Sequence, residues 1–170
     1  MNSGKLYFHL ERKESPYEEE LPPNEIWGII QLCYESDNKI EYILDWQWDI
    51  VEIVEWFDEA KNLLAVKNID VLNDENKSIA ELRDLGYERS LFFSEDEQFR
   101  YYSELEECFS SFKFHLRGTP TPMYYIGLNN GKGEISYYSS EQEVYKRYCF
   151  SMEEFLNNTN KVLMDFRQTT

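Results

Sequence analysis

The first 107 residues carry 27 Asp and Glu against 10 Lys and Arg, a net charge of −17, while residues 108–170 carry 6 acids and 7 bases. Self-repulsion on that scale disfavours a compact state. A folded chain that keeps it therefore needs a substantial apolar core, and it has a field to use, most simply to attract a basic partner. The core is available, because 42% of the residues are apolar and 16% are aromatic. Acidic chains that remain disordered lack such aromatics. At 170 residues the expectation is a single domain, 1–170, able to bury roughly two thirds of its unfolded surface.

No apolar run approaches the ~20 residues needed to cross a bilayer. The start, Met1-Asn2-Ser3-Gly4-Lys5, lacks the charged and then apolar stretch of a secretion signal. These features predict a soluble, cytoplasmic protein with no membrane partner. The three cysteines, Cys33, Cys108 and Cys149, are far apart and lack C-x-x-C spacing. That argues against a disulfide framework and a structural zinc site, and for reduced, mostly buried thiols.

Hydrophobic periodicity divides the chain. Leu6, Phe8 and Leu10 alternate with Tyr7 and His9, the period of two of a half-buried strand over Lys5–Glu11. Residues 12–24, with Pro16, Pro22, Pro23 and the triplet Glu18-Glu19-Glu20, read as a loop. Ile26–Tyr34 and Lys39–Leu44, separated by Ser36-Asp37-Asn38, read as an antiparallel hairpin. With Asp45 as N-cap, Ile50, Ile53, Val54, Phe57, Ala60 and Leu64 then predict one amphipathic helix from about Trp46 to Val66.

Three Ser-x-x-Glu pairs, Ser78 with Glu81, Ser94 with Glu97 and Ser151 with Glu154, mark further helix starts. The first helix is expected to stop near Gly86. The second puts Phe99, Tyr102, Leu105 and Phe109 on one side, and the third buries Phe155, Thr159, Val162 and Phe166. Between these two helices, Phe112–Leu116, Met123–Leu128, Ile135–Tyr138 and Val144–Phe150 form a meander of about four strands, with Asn129–Gly133 as a hairpin turn. The order of elements predicts an α+β fold, a mostly antiparallel sheet with helices packed on it.

No residue set stands out as catalytic, cofactor-binding or metal-binding. His9 and His115 fall in predicted strands, and neither Cys108 nor Cys149 lies in a nucleophile motif. The Gly127–Gly133 segment lacks the Lys-Ser/Thr of a phosphate loop and reads as a turn. With 33 acids, close Asp/Glu spacings arise by chance, and none matches a calcium loop or a zinc-peptidase motif. A concave site with perturbed acids or histidines would be the mark of an enzyme.

Acidic clusters point instead to binding. Glu41, Asp45, Asp49, Glu52, Glu55, Asp58 and Glu59 run without an intervening Lys or Arg. On the predicted helix Asp49, Glu52, Glu55 and Glu59 share one face, beside Trp56. Such like-charge spacings cost a few tenths of a kcal/mol per pair. They suit either a solvated face or a partner-binding face, and aromatic anchors ringed by charge are common at interfaces. Glu18, Glu19 and Glu20 form a second candidate, and Glu95–Glu107, opposed only by Arg100, a third.

The last sixty residues, from Gly118 through Tyr125-Ile126-Gly127, Asn130-Gly131 and Gly133-Glu134-Ile135-Ser136 to Tyr148-Cys149-Phe150 and a capped helix, resemble small acidic immunity proteins of bacterial polymorphic toxin systems of the contact-dependent inhibition type. The hairpin that leads through Asp45-Trp46 into a helix is similar too. The resemblance implies a non-enzymatic cytoplasmic protein that binds one toxin and blocks it, and it transfers no binding residues. Two other readings stand beside it: a nucleic-acid mimic occupying the groove of a DNA-binding protein, and an enzyme with an unrecognised acidic site. Direct nucleic-acid binding is disfavoured, since the acidic part repels phosphate.

Overall fold

The computed structural model describes residues 3–16, 25–69, 74 and 76–168. The elements in chain order are β1 (Lys5–Arg12), β2 (Trp27–Ser36), β3 (Lys39–Asp49), α1 (Val51–Leu64), β4 (Asn68–Ile69), α2 (Ile79–Ser90), α3 (Glu95–Ser110), β5 (Lys113–Phe114), β6 (Tyr124–Asn129), β7 (Lys132–Ser139), β8 (Val144–Phe150) and α4 (Met152–Gln168). The fold is α+β, and its strands form two mostly antiparallel sheets. One has the order β1-β2-β3; the other runs β4-β6-β7-β8, with β5 also paired to β6. A parallel bridge between Gly4 and Phe150 links them.

The first sheet follows the alternation in the sequence, with Leu6, Phe8, Ile30 and Leu32 buried on one face. Asp37 and Asn38 both take positive φ, 50° and 61°, the turn that matches the twist of the paired strands. β3 runs five residues past the expected strand end at Leu44, because β2 starts at Trp27 and supplies partners as far as the Trp27–Asp49 pair. Asp45 is consequently a strand residue opposite Gln31 and not a helix cap. α1 starts at Val51, and the carboxylate of Asp49 accepts the Val51 amide at 3.0 Å. The apolar stripe is as expected, with Ile53, Phe57, Ala60 and Leu64 buried.

The second sheet is covered on both faces. α2 and α3 lie on the side of Tyr125, Glu134 and Ser136, and Phe109 meets Tyr125 edge-on at 6.3 Å. The first sheet, α1 and α4 pack on the opposite side. There Tyr124 contacts Phe114 and Tyr137, and its hydroxyl donates to the carbonyl of Ile43 at 3.1 Å. One apolar cluster holds residues of both sheets and all four helices. Gly127 is required by this packing, since a Cβ there would lie 2.1 Å from the ring of Phe112. Asn130 and Gly131 form the β6–β7 turn at φ 51° and 74°, as the sequence predicts.

β4 has no signature in the sequence, since two residues show no period, and it pairs parallel to β6. β5 spans two residues rather than Phe112–Leu116. Gly86 does not end α2; it is buried within a helix that runs to Ser90. All three Ser-x-x-Glu pairs sit at helix starts. The hydroxyls of Ser78 and Ser151 accept the amides of Glu81 and Glu154 at 3.2 and 3.3 Å, and Ser94 with Glu97 closes a full capping box.

A buried carboxylate positions α2. Glu134, on β7, is inaccessible to solvent. Its Oε1 accepts the Ile79 amide at 2.6 Å, while Oε2 accepts Asn129 Nδ2 at 3.0 Å and Arg147 Nε at 2.7 Å. Beside it, Ser136 Oγ accepts the Ala80 amide at 3.0 Å. Two of the free amides at the α2 start are thus satisfied by β7, and Ser78 supplies a third acceptor. Glu134→Ala would leave Arg147 and the Ile79 amide without this partner. It should lower the unfolding free energy by about 3–5 kcal/mol, and Glu134→Gln, which keeps a carbonyl acceptor, by less. Urea denaturation of the two variants tests the ranking.

Candidate interaction surface

The residues expected on the acidic face of α1 separate into two groups. Asp49, Glu52 and Trp56 are committed inside the fold. Asp49 Oδ1 accepts the amide of Ile26 at 2.9 Å as well as that of Val51, so it fastens the entry of β2 to the start of α1. Glu52, with a side chain only 12% exposed, accepts Trp48 Nε1 at 3.2 Å and the Arg117 amide at 2.8 Å. Trp56 donates its Nε1 proton to the Lys113 carbonyl at 3.0 Å, and its ring lies 4.8 Å from Phe114 and 6.1 Å from Phe8. It is a packing residue and not a displayed anchor.

Glu55 and Glu59 are exposed. The negative face of α1 is nevertheless interrupted, because folding brings cations from the near-neutral end of the chain. Arg117 reaches Glu52 at 3.4 Å and Glu55 at 3.3 Å. Asp58 pairs with Lys61 at 2.8 Å and with Arg167. Its carboxyl is held below the usual range, first by the hydrogen bond from Lys61 and then by Arg167. Glu18, Glu19 and Glu20 lie outside the described residues.

A different acidic surface lies at the α2–α3 connection. The α3 box fixes a helix start at Glu95, so Leu91, Phe92 and Phe93 must serve as the connection. They are exposed by 69%, 89% and 43%. Their backbone is held by successive one-turn hydrogen bonds, from the amides of Leu91, Phe92 and Phe93 to the carbonyls of Glu88, Arg89 and Ser90. Tyr87 packs on Tyr102 at 5.1 Å and its hydroxyl donates to Glu106, which sets the two helices side by side. Leu91, four residues past Tyr87, and Phe99, three before Tyr102, lie about one helical turn nearer the connection than this pair. Phe99, predicted on one side of the helix with Tyr102, Leu105 and Phe109, is 74% exposed, whereas Leu105 and Phe109 are buried.

Carboxylates flank this apolar segment along the chain. Glu88, Glu95, Asp96, Glu97 and Glu104 are exposed, with Arg89 and Arg100 as the nearby bases in sequence. Glu97 is kept below the normal carboxylate range by the Ser94 hydroxyl and then by the Ser94 amide. Phe93 meets Tyr101 edge-on at 4.9 Å. Together with Glu97, Arg100 and Glu104 they line a recess of about 270 Å³. The signal in the sequence was the run Leu91-Phe92-Phe93 directly before a capping box, where a connecting segment is normally polar.

Other candidates have structural placements. Cys33 and Cys108 are buried and Cys149 half-buried. His9 is exposed and His115 half-buried. Tyr148 donates to Glu41, with its hydroxyl pKa raised by burial and then by that bond, and packs 5.0 Å from Tyr34. Among the described residues no group of three or more His, Cys, Asp or Glu is arranged to hold a metal ion, and no helix is long and apolar enough to cross a membrane.

Comparison with protein-family models, curated proteins and solved structures gave no match. The placements on α1 predict a split between its acids. Glu52→Ala should cost about 1–3 kcal/mol, because it leaves the indole and amide donors unpaired, whereas Glu59→Lys should stay within about 0.5 kcal/mol of the parent. Thermal or urea unfolding of the two variants measures the difference.

Proposed function

We propose that this chain is a non-enzymatic, acidic binding protein that acts in the cytoplasm as an immunity protein, neutralising a cognate basic toxin. The observation that carries this reading is the concentration of exposed acids on α1 and α3: Glu55 and Glu59 on the first, Glu95, Asp96, Glu97, Glu104 and Glu107 on the second. Most of these are not engaged by cations in the fold. Glu97 serves the α3 capping box and Glu95 and Asp96 suit a helix N-terminus, but a stability-driven sequence would interleave bases at the spacings of Glu55, Glu59, Glu104 and Glu107, which favours a use for these outside the fold. Many proteins that act on nucleic acid are basic, and an acidic inhibitor gains association rate by electrostatic steering.

The test is co-expression with the toxin-like product of the neighbouring gene. The expected result is a stable complex and protection of the cell; failure to bind and to protect overturns the proposal. Glu55→Lys/Glu59→Lys should slow association roughly tenfold at low ionic strength and much less at high salt. These two positions are suited to charge reversal, because both are exposed and the only pair broken among the described residues is the surface contact of Glu55 with Arg117. Equal binding to many unrelated basic proteins, with affinity falling steeply in salt, would instead identify a nucleic-acid mimic.

A further inference from the structure

We infer that the tip of the α2–α3 hairpin is the docking surface, and that its occupant is a basic protein presenting an apolar recess fringed by Lys or Arg. The inference rests on the binding-protein reading above and names the place and chemistry of contact. Leu91, Phe92 and Phe99 expose large apolar side chains on a backbone that is already ordered by the hydrogen bonds of the connection. An anchor held in place before binding loses little conformational freedom when it docks. Aromatic anchors at the centre of a polar rim are where binding energy concentrates.

Charge selects the occupant. A second copy of this chain would bring Glu88, Glu95 and Asp96 against their own equivalents, with like charges facing across a closing interface. An anionic bilayer is repelled for the same reason. A basic protein reverses the sign of each of these terms. The recess beside the tip, lined by Phe93, Glu97, Arg100, Tyr101 and Glu104, sets two carboxylates against one guanidinium next to two aromatic rings. The net negative lining favours a lysine or arginine side chain over an acidic one.

The experiment uses the full chain, isothermal titration calorimetry and two synthetic probes of equal charge, a Leu/Lys amphipathic peptide and an oligolysine. The Leu/Lys peptide should bind more tightly. Phe92→Ser/Phe99→Ser should weaken it by about tenfold or more while leaving oligolysine binding unchanged. Tyr42→Ser, which removes an exposed ring on β3, should alter neither. Because all three side chains are exposed, the melting temperatures should match the parent and certify the fold. Equal affinity for the two peptides, or a double variant within about twofold of the parent, overturns the inference.

Two further measurements do the same. Concentration-dependent dimerisation in sedimentation equilibrium, abolished by the double variant, would assign the tip to a second copy. Co-sedimentation with phosphatidylcholine or phosphatidylglycerol vesicles, lost in the double variant, would assign it to a membrane. The docking surface and the immunity role fail separately. Protection against the neighbouring toxin that survives Phe92→Ser/Phe99→Ser removes the surface and keeps the role. The predicted peptide discrimination without any toxin binding keeps the surface and removes the role.

Discussion

The bonds to Glu134 are the constraint from which the exposed half of the molecule follows. A carboxylate with no solvent access is tolerated only when its charge and lone pairs are satisfied, and here three elements supply the donors: α2 through Ile79, β6 through Asn129 and β8 through Arg147. The same contacts fix where α2 begins on the second sheet. Once that start is set, the length of α2 and the Tyr87–Tyr102 packing decide how far α3 overlaps it. Leu91–Phe93 then form the connection between the two helices, and Phe99 follows in the second turn of α3. A buried ionic contact on β7 thus governs an apolar surface at the opposite end of the helix.

Charge is redistributed by folding in a way that a linear count does not reveal. The acids of α1 read as unopposed along the chain, yet Arg117 and Arg167 arrive from the last third to meet Glu52, Glu55 and Asp58. Exposed pairs of this type stabilise weakly, since water and salt screen them. Their larger effect is on the field, because they remove part of the negative potential over α1 and leave the α3 end relatively more acidic. The steering surface of the folded chain is accordingly weighted toward the helical hairpin.

What the sequence disclosed, and what it withheld, divides by the range of the interaction. Strand alternation at Leu6 and Phe8, the stripe from Ile53 to Leu64, the Asp37-Asn38 and Asn130-Gly131 turns and the three Ser-x-x-Glu helix starts are local, and each appears in the structure near its expected place. Asp45 and the length of β3 were hidden because strand ends depend on a partner strand, here Trp27 and Gly28. β4 was hidden because two residues display no period. The roles of Asp49, Glu52 and Trp56 depend on Ile26, Arg117 and Lys113, the last two more than fifty positions away, so helical spacing alone could not separate them from Glu55 and Glu59. Phe99 shares its helical side with the buried Leu105 and Phe109 yet is exposed, because spacing gives the side of a helix and not how far along it a neighbour covers it.

Acidic charge and exposed aromatic rings are usually treated as separate liabilities, one for stability and one for solubility. At the α2–α3 tip they answer each other. Rings of this size would promote self-association on a neutral surface, and the surrounding carboxylates oppose the approach of an identical surface. The carboxylates in turn are best compensated by cations brought from outside, because Arg89 and Arg100 are the nearby bases in sequence. A surface built in this way stays open among copies of itself and closes on a partner of opposite charge. Its two liabilities are relieved together by the same kind of occupant, which is the physical reason for reading the pair as one feature.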